Sequence, residues 1–148
     1  MVRIEGATIV ERSVEEVFDF VADELNEAKY NPLMVRTEKT TPGPIAVGTR
    51  WSATILARGR PLDMEIEVTD YERPHRLGSL TRMASADVEG LLTFEPDPAG
   101  TRLAWSWDLR PKGAYRLVGP LLASVGHQQE AELWADLKDY LEGQGSRA

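Results

Sequence analysis

Hydrophobic and polar residues alternate with a period of two through most of this chain, and switch to a helical period in two places. Residues 2–11 are rich in β-branched side chains bounded by charge, which predicts a strand. Ser13-Val14-Glu15-Glu16 then has the form of a capping box. Val14, Val17, Phe18, Val21 and Leu25 follow at helical spacing and predict a helix with one apolar face. Asn31-Pro32 marks its limit, because a residue before proline avoids the helical region.

Strand patterning resumes at residues 34–40 and is broken by Pro42-Gly43-Pro44. Trp51, Ala53, Ile55 and Ala57 then share one face, opposite Arg50, Ser52, Thr54 and Arg58. After Gly59-Arg60-Pro61, Leu62, Met64, Ile66 and Val68 oppose Asp63, Glu65, Glu67 and Thr69. Such alternation predicts half-buried antiparallel strands whose charged side is solvated and guards the sheet. Three more strands follow over residues 76–83, 87–95 and 102–110, separated by turn sequences. The last carries Leu103, Trp105, Trp107 and Leu109 on one side. Residues 117–142 return to a helical pattern, with Leu121, Leu122, Val125, Gln129, Leu133, Leu137, Tyr140 and Leu141 as the inner stripe. Gly119-Pro120 and Gly126 mark a start, a kink or a close approach near its beginning.

The order of elements predicts an α+β fold. A curved antiparallel sheet of about six or seven strands wraps a long C-terminal helix, with one or two short helices after the first strand. The 148 residues fit one domain, 1–148, with 143–148 as a loose tail. The inward residues differ greatly in size: Trp51, Phe94, Trp105 and Trp107 against Ala53, Ala57 and Gly90. Uneven side chains on a strongly curved sheet leave space beneath the helix.

Composition narrows the function. There are no cysteines, so disulfides, thiolate metal sites and cysteine nucleophiles are excluded. A net charge of -7 repels phosphate backbones and anionic membranes, which argues against nucleic acid as a partner. The N-terminus lacks the apolar core of a signal peptide, and no apolar run reaches the length of a membrane span. A cytoplasmic protein without stable membrane insertion is expected. A homodimer is compatible with these features.

The chain resembles the START-like (SRPBCC) helix-grip superfamily, which includes START lipid-transfer domains, birch-pollen-type allergens and polyketide cyclase/dehydrase-like proteins. Its small bacterial polyketide cyclase/dehydrase-like members are the most similar. The stretches that carry the resemblance are Ser13-Val14-Glu15-Glu16-Val17-Phe18, Val47-Gly48-Thr49-Arg50-Trp51, Val68-Thr69-Asp70-Tyr71-Glu72-Arg73-Pro74, and Gly100-Thr101-Arg102-Leu103-Ala104-Trp105 leading to Pro111-Lys112-Gly113. They are turn and core positions, so they speak for fold, and function has to be argued from the site.

The expected pocket wall comprises Trp51, Ile55, Met64, Ile66, Ser79, Leu92, Phe94, Trp105, Trp107, Leu122, Val125 and Gln129. An apolar wall with few polar groups suits a hydrophobic or aromatic small molecule, lipid or polyketide-like, and that is the first functional expectation. No cofactor is implied. Taken one at a time, these side chains are better explained as core; for the set a cavity is the better reading, because the resemblance implies one and three tryptophans cannot all pack face to face. Tyr30 and Tyr115 are placed near the mouth, where a hydroxyl could reach a ligand but would more simply be wet. His127 has the right intrinsic acidity for proton transfer, yet sits at the edge of the stripe. With Glu130 three residues on it makes two ligands, too few for a metal. The resemblance also implies two other functions on the same scaffold. One is a polyketide cyclase or dehydratase, with His127, Tyr30 or Tyr115 as proton carriers. The other is an interaction module of the stress-protein co-activator type, which would need an exposed apolar patch.

Overall fold

The computed structural model describes residues 2–145, and of 119, 120, 122, 123, 144 and 145 the backbone only. The chain runs β1 (Val2–Val10), α1 (Val14–Ala22), a 3-10 turn (Glu24–Asn26), α2 (Glu27–Tyr30), β2 (Met34–Lys39), β3 (Arg50–Ala57), β4 (Arg60–Glu72), β5 (Arg76–Met83), β6 (Ala86–Asp97) and β7 (Gly100–Pro111). A 3-10 segment (Gly113–Val118) then leads into α3 (Gly119–Gly145). The helix-grip expectation holds. The strands form one antiparallel sheet in the order β1-β7-β6-β5-β4-β3-β2.

Local signals behave as their chemistry requires. The Ser13 hydroxyl accepts from the Glu16 amide (3.3 Å) and donates to Glu16 Oε1 (3.1 Å), which starts α1. The helix stops earlier than the apolar spacing suggests. Asp23 accepts from the Leu25 amide (3.0 Å) and begins the 3-10 turn, leaving Leu25 exposed.

Cross-strand register sorts the inward face into rows. Phe94 pairs with Leu103, and Leu77, Leu92 and Trp105 line up beside them. This part of the sheet is buried against Phe18 of α1 and Trp134, Leu137 and Leu141 of α3. A separate apolar cluster, Met34, Trp51, Ala53 and Ile66, occupies the β2–β4 end, with Ile55 and Met64 packed against it. The next rows are Val68–Ser79–Gly90–Trp107–Ile4 and Trp51–Ile66–Thr81–Val88–Leu109. Ser79, Thr81, Val88, Trp107 and Leu109 in these rows point inward yet are only half-buried.

Two glycines fit the large aromatics to the sheet. A Cβ on Gly6 would stand 2.4 Å from the ring of Trp105, and one on Gly90 would stand 1.6 Å from that of Trp107. Each glycine is the direct cross-strand partner of the tryptophan it accommodates. Gly126 does the same for helix against sheet, since a Cβ there would meet Ile4 Cδ1 at 2.7 Å. Of the three roles expected for it, Gly126 therefore marks a close approach. The short helix α2 touches both α3 and β2, so it bridges the long helix to the far edge of the sheet.

Candidate functional site

The expected wall divides once the rows are known. Leu92, Phe94 and Trp105 are buried in the cluster under α1 and the end of α3. Trp51 and Ile66 are buried in the β2–β4 cluster, and Ile55 and Met64 are half-buried against it. Ser79 and Trp107 on the sheet and Val125 on α3 are half-buried. The Leu122 side chain lies outside the described residues.

Gln129 corrects the expectation: it is exposed, and the inner position of that turn belongs to Glu130. The stripe of α3 runs through Glu130, Leu133, Trp134, Leu137 and Leu141. Its phase is set by Trp134, which is only 4% exposed and stacks on Trp105 with ring centroids 5.7 Å apart. His127 is exposed and lines an open groove of about 300 Å³ between α3 and β1, which Trp105 and Trp134 also border. Tyr115 is also exposed, on the 3-10 segment after β7.

Tyr30 lies deeper than a rim position suggests. A rim position with a wet hydroxyl was the simpler expectation; the residue as a whole is 8% exposed, with its ring against that of Phe20. Burial, then the carboxyls of Glu27, Glu24 and Glu130, push its phenol well above its usual pKa. Four polar side chains thus meet, from three pieces of chain: the 3-10 turn, α2 and α3.

Their electrostatics are unusual. Burial raises the Glu24 carboxyl well above the ordinary range, and the Glu27 charge and a hydrogen bond to Glu27 add to the effect. Glu24 Oε2 is buried with no donor, whereas Glu27 Oε2 accepts from Asn31 Nδ2 at 2.9 Å. Glu24, which has no donor on Oε2, is the more strongly raised of the two, and burial raises Glu27 as well. Burial also lifts Glu130 to about 7, against two indole N–H groups, of Trp107 and Trp134, that favour its ionised form. Trp134 Nε1 donates to Glu130 Oε2 at 2.9 Å. Trp107 Nε1 is buried near the same carboxyl but outside normal hydrogen-bond geometry.

The half-buried inward row Ser79–Gly90–Trp107 thus ends beside Glu130 of α3, and Glu130 in turn neighbours Glu24, Glu27 and Tyr30. Chemically the arrangement sets apolar sheet area beside carboxyls that can give or take a proton. None of the three acids was expected to line the pocket. The available signal was Glu130 standing three and four residues before Leu133 and Trp134, a charge within an apolar stripe. No group of side chains among the described residues is arranged to hold a metal ion.

A family model described as polyketide cyclase / dehydrase and lipid transport matches residues 1–142. No protein with a curated description matches the sequence. Among solved structures, a START superfamily protein from Mycobacterium smegmatis superposes with a TM-score of 0.83 at 14% identity, covering 96% of this chain and 98% of that one. A protein from Thermus thermophilus gives 0.79 at 16% identity, with 96% and 98% covered. A conserved protein from Geobacillus kaustophilus gives 0.74 at 18%, with 96% of each chain covered. At these identities the likeness concerns the fold.

Proposed function

This chain belongs to the polyketide cyclase / dehydrase and lipid transport family, and from that membership we propose that it binds a hydrophobic or aromatic small molecule between the sheet and α3. The observation that carries the reading is the inward row Ser79–Gly90–Trp107. Its side chains face the helix yet remain half-buried, next to two apolar clusters that do not merge. A surface that points inward and is still reachable is what a ligand would cover. Ile55, Met64 and Val125 extend it with apolar area. Gln129, facing outward, has no part in it.

The test is organic extraction of freshly purified protein followed by mass spectrometry, with native mass spectrometry of the intact complex in parallel. A stoichiometric apolar compound, released by unfolding, is expected. If no extract and no added hydrophobic compound ever binds, the proposal fails.

A second reading, a cyclase or dehydratase, is favoured by one observation: Glu130 sits at about 7, where a carboxyl can both give and take a proton. In that role Glu130 would act on the ligand's polar end, with Tyr30 beside it. The same geometry argues against His127 and Tyr115 as proton carriers, since both are exposed. Conversion of a linear polyketo thioester mimic, lost in Glu130→Gln while binding persists, would support the enzyme. Binding without conversion by the native protein would leave the carrier role.

A further inference from the structure

We infer that this site selects an apolar ligand bearing an organic cation, a protonated amine or a quaternary ammonium, which docks among Glu27, Glu130, Tyr30 and the Trp107 indole. This rests on the binding site proposed above and specifies which chemistry it takes.

Three half-buried carboxyls, of Glu24, Glu27 and Glu130, stand close enough to act on one another, and no lysine, arginine or histidine among the described residues pairs or hydrogen-bonds with any of them. Buried charge without a counter-charge is costly, and the protein lessens the cost with neutral donors, Asn31 to Glu27 and Trp134 to Glu130, and by retaining protons. Tyr30 is itself more than nine-tenths buried, against Phe20, and its hydroxyl donates to none of the carboxyls whose charges raise it. An ammonium entering this space would gain at least one carboxylate contact. It would also meet the aromatic faces of Trp107 and Tyr30, which attract cations once water is excluded. The rest of the ligand would lie along the apolar row.

A neutral alcohol of the same length would find acceptors but would leave the carboxyls without a compensating charge. A carboxylate ligand would be repelled. On binding a cation, Glu130 gives up its proton to the solvent, so association releases protons. The net charge of -7 adds a general attraction for cations, which has to be separated from the site.

The experiment is titration calorimetry of the full chain with decylamine, decyltrimethylammonium, decanol and decanoate, each below its aggregation limit. It is run in two buffers of different ionisation enthalpy and repeated with Glu130→Gln and with Glu65→Gln, a half-exposed carboxylate on the outer face. Both cations should bind roughly tenfold or more tightly than decanol, with proton release. Glu130→Gln should erase most of that preference and the proton release. Glu65→Gln should leave both unchanged. Decanol or decanoate binding as tightly as the amines would overturn the inference and leave the apolar site standing. Equal losses in the two variants would reduce the preference to bulk charge and also overturn it. Failure of all four probes to bind would overturn the binding-site reading itself.

Discussion

The Trp107 indole lies so close over Gly90, its cross-strand partner, that a Cβ on Gly90 would stand 1.6 Å from ring atom Cζ3. The inward row is therefore shaped by an absent side chain. Gly90→Ala should lift the ring and cost about 1–3 kcal/mol, as overpacking does, outweighing the gain from a less flexible backbone. Urea unfolding read by tryptophan fluorescence checks this. A variant as stable as the parent, with an unshifted emission maximum, would show that the ring is free to move.

Glu130 makes stability depend on pH in a direction opposite to most carboxylates. It is a weaker acid in the fold than in the unfolded chain, so the native state keeps a proton the unfolded state releases. The stability this provides is complete below about 4.5 and is lost as pH rises towards about 7. A shift of that size corresponds to roughly 3 kcal/mol at its limit. Asp19, held down by its hydrogen bonds to Arg73, works the other way and loses its contribution as pH falls below its ordinary value. Maximum stability should thus lie in mildly acid solution. Glu130→Gln should remove much of the decline above it, as measured by chemical unfolding on either side of neutrality.

Trp134→Phe keeps a ring for Trp105 to stack on and removes the N–H that donates to Glu130. A donor to a carboxylate favours the ionised form, so its loss should raise Glu130 further above about 7. Carboxyl carbon chemical shifts followed against pH report this directly. An unchanged or lower midpoint would mean that the hydrogen bond has no hold on the proton.

Thr101 is fully buried, and its hydroxyl donates to the Arg12 carbonyl at 2.7 Å, joining β7 to the turn before α1. Thr101→Val preserves shape and strands that carbonyl, so it should cost about 1–3 kcal/mol. Thr101→Ser, which keeps the donor, should cost less. The reverse order in thermal unfolding would assign the role of Thr101 to packing instead.

Arg73 holds Asp19 of α1 through two hydrogen bonds of 2.7 Å, but both side chains are about half exposed. Solvent screening limits such a pair, so Arg73→Ala should lower stability only slightly, and the difference should shrink at high salt. A loss that persists in molar salt would point to a packing role for the arginine stem.

Most of the fold was readable along the chain because its signals are local. Alternation in Leu62–Val68 and Leu103–Leu109 marks a sheet face whatever surrounds it, and Ser13 with Glu16 starts a helix by its own hydrogen bonds. The end of α1 was less readable. Leu25 keeps the apolar spacing, but the Asp23 side chain captures its amide and turns the chain.

The site was legible in part, for a physical reason. Successive residues on a helix point about 100° apart, so an inner stripe can be assigned one position out. Residues 121–129 allow more than one phase, and only the stacking of Trp134 on Trp105 and the contact of Gly126 with Ile4 decide between them. That choice turns Gln129 outward and Glu130 inward. Likewise, nothing local distinguishes Glu24 and Glu27 from solvated acids of a first turn. They meet Tyr30 and Glu130 because α2 spans from α3 to β2, a consequence of how the sheet closes. The sequence by itself determined the strands, the long helix and the tryptophan-rich inner face, since periodicity and turn chemistry act over a few residues. Only the tertiary structure decided which charges are buried together, since burial depends on partners distant in the chain.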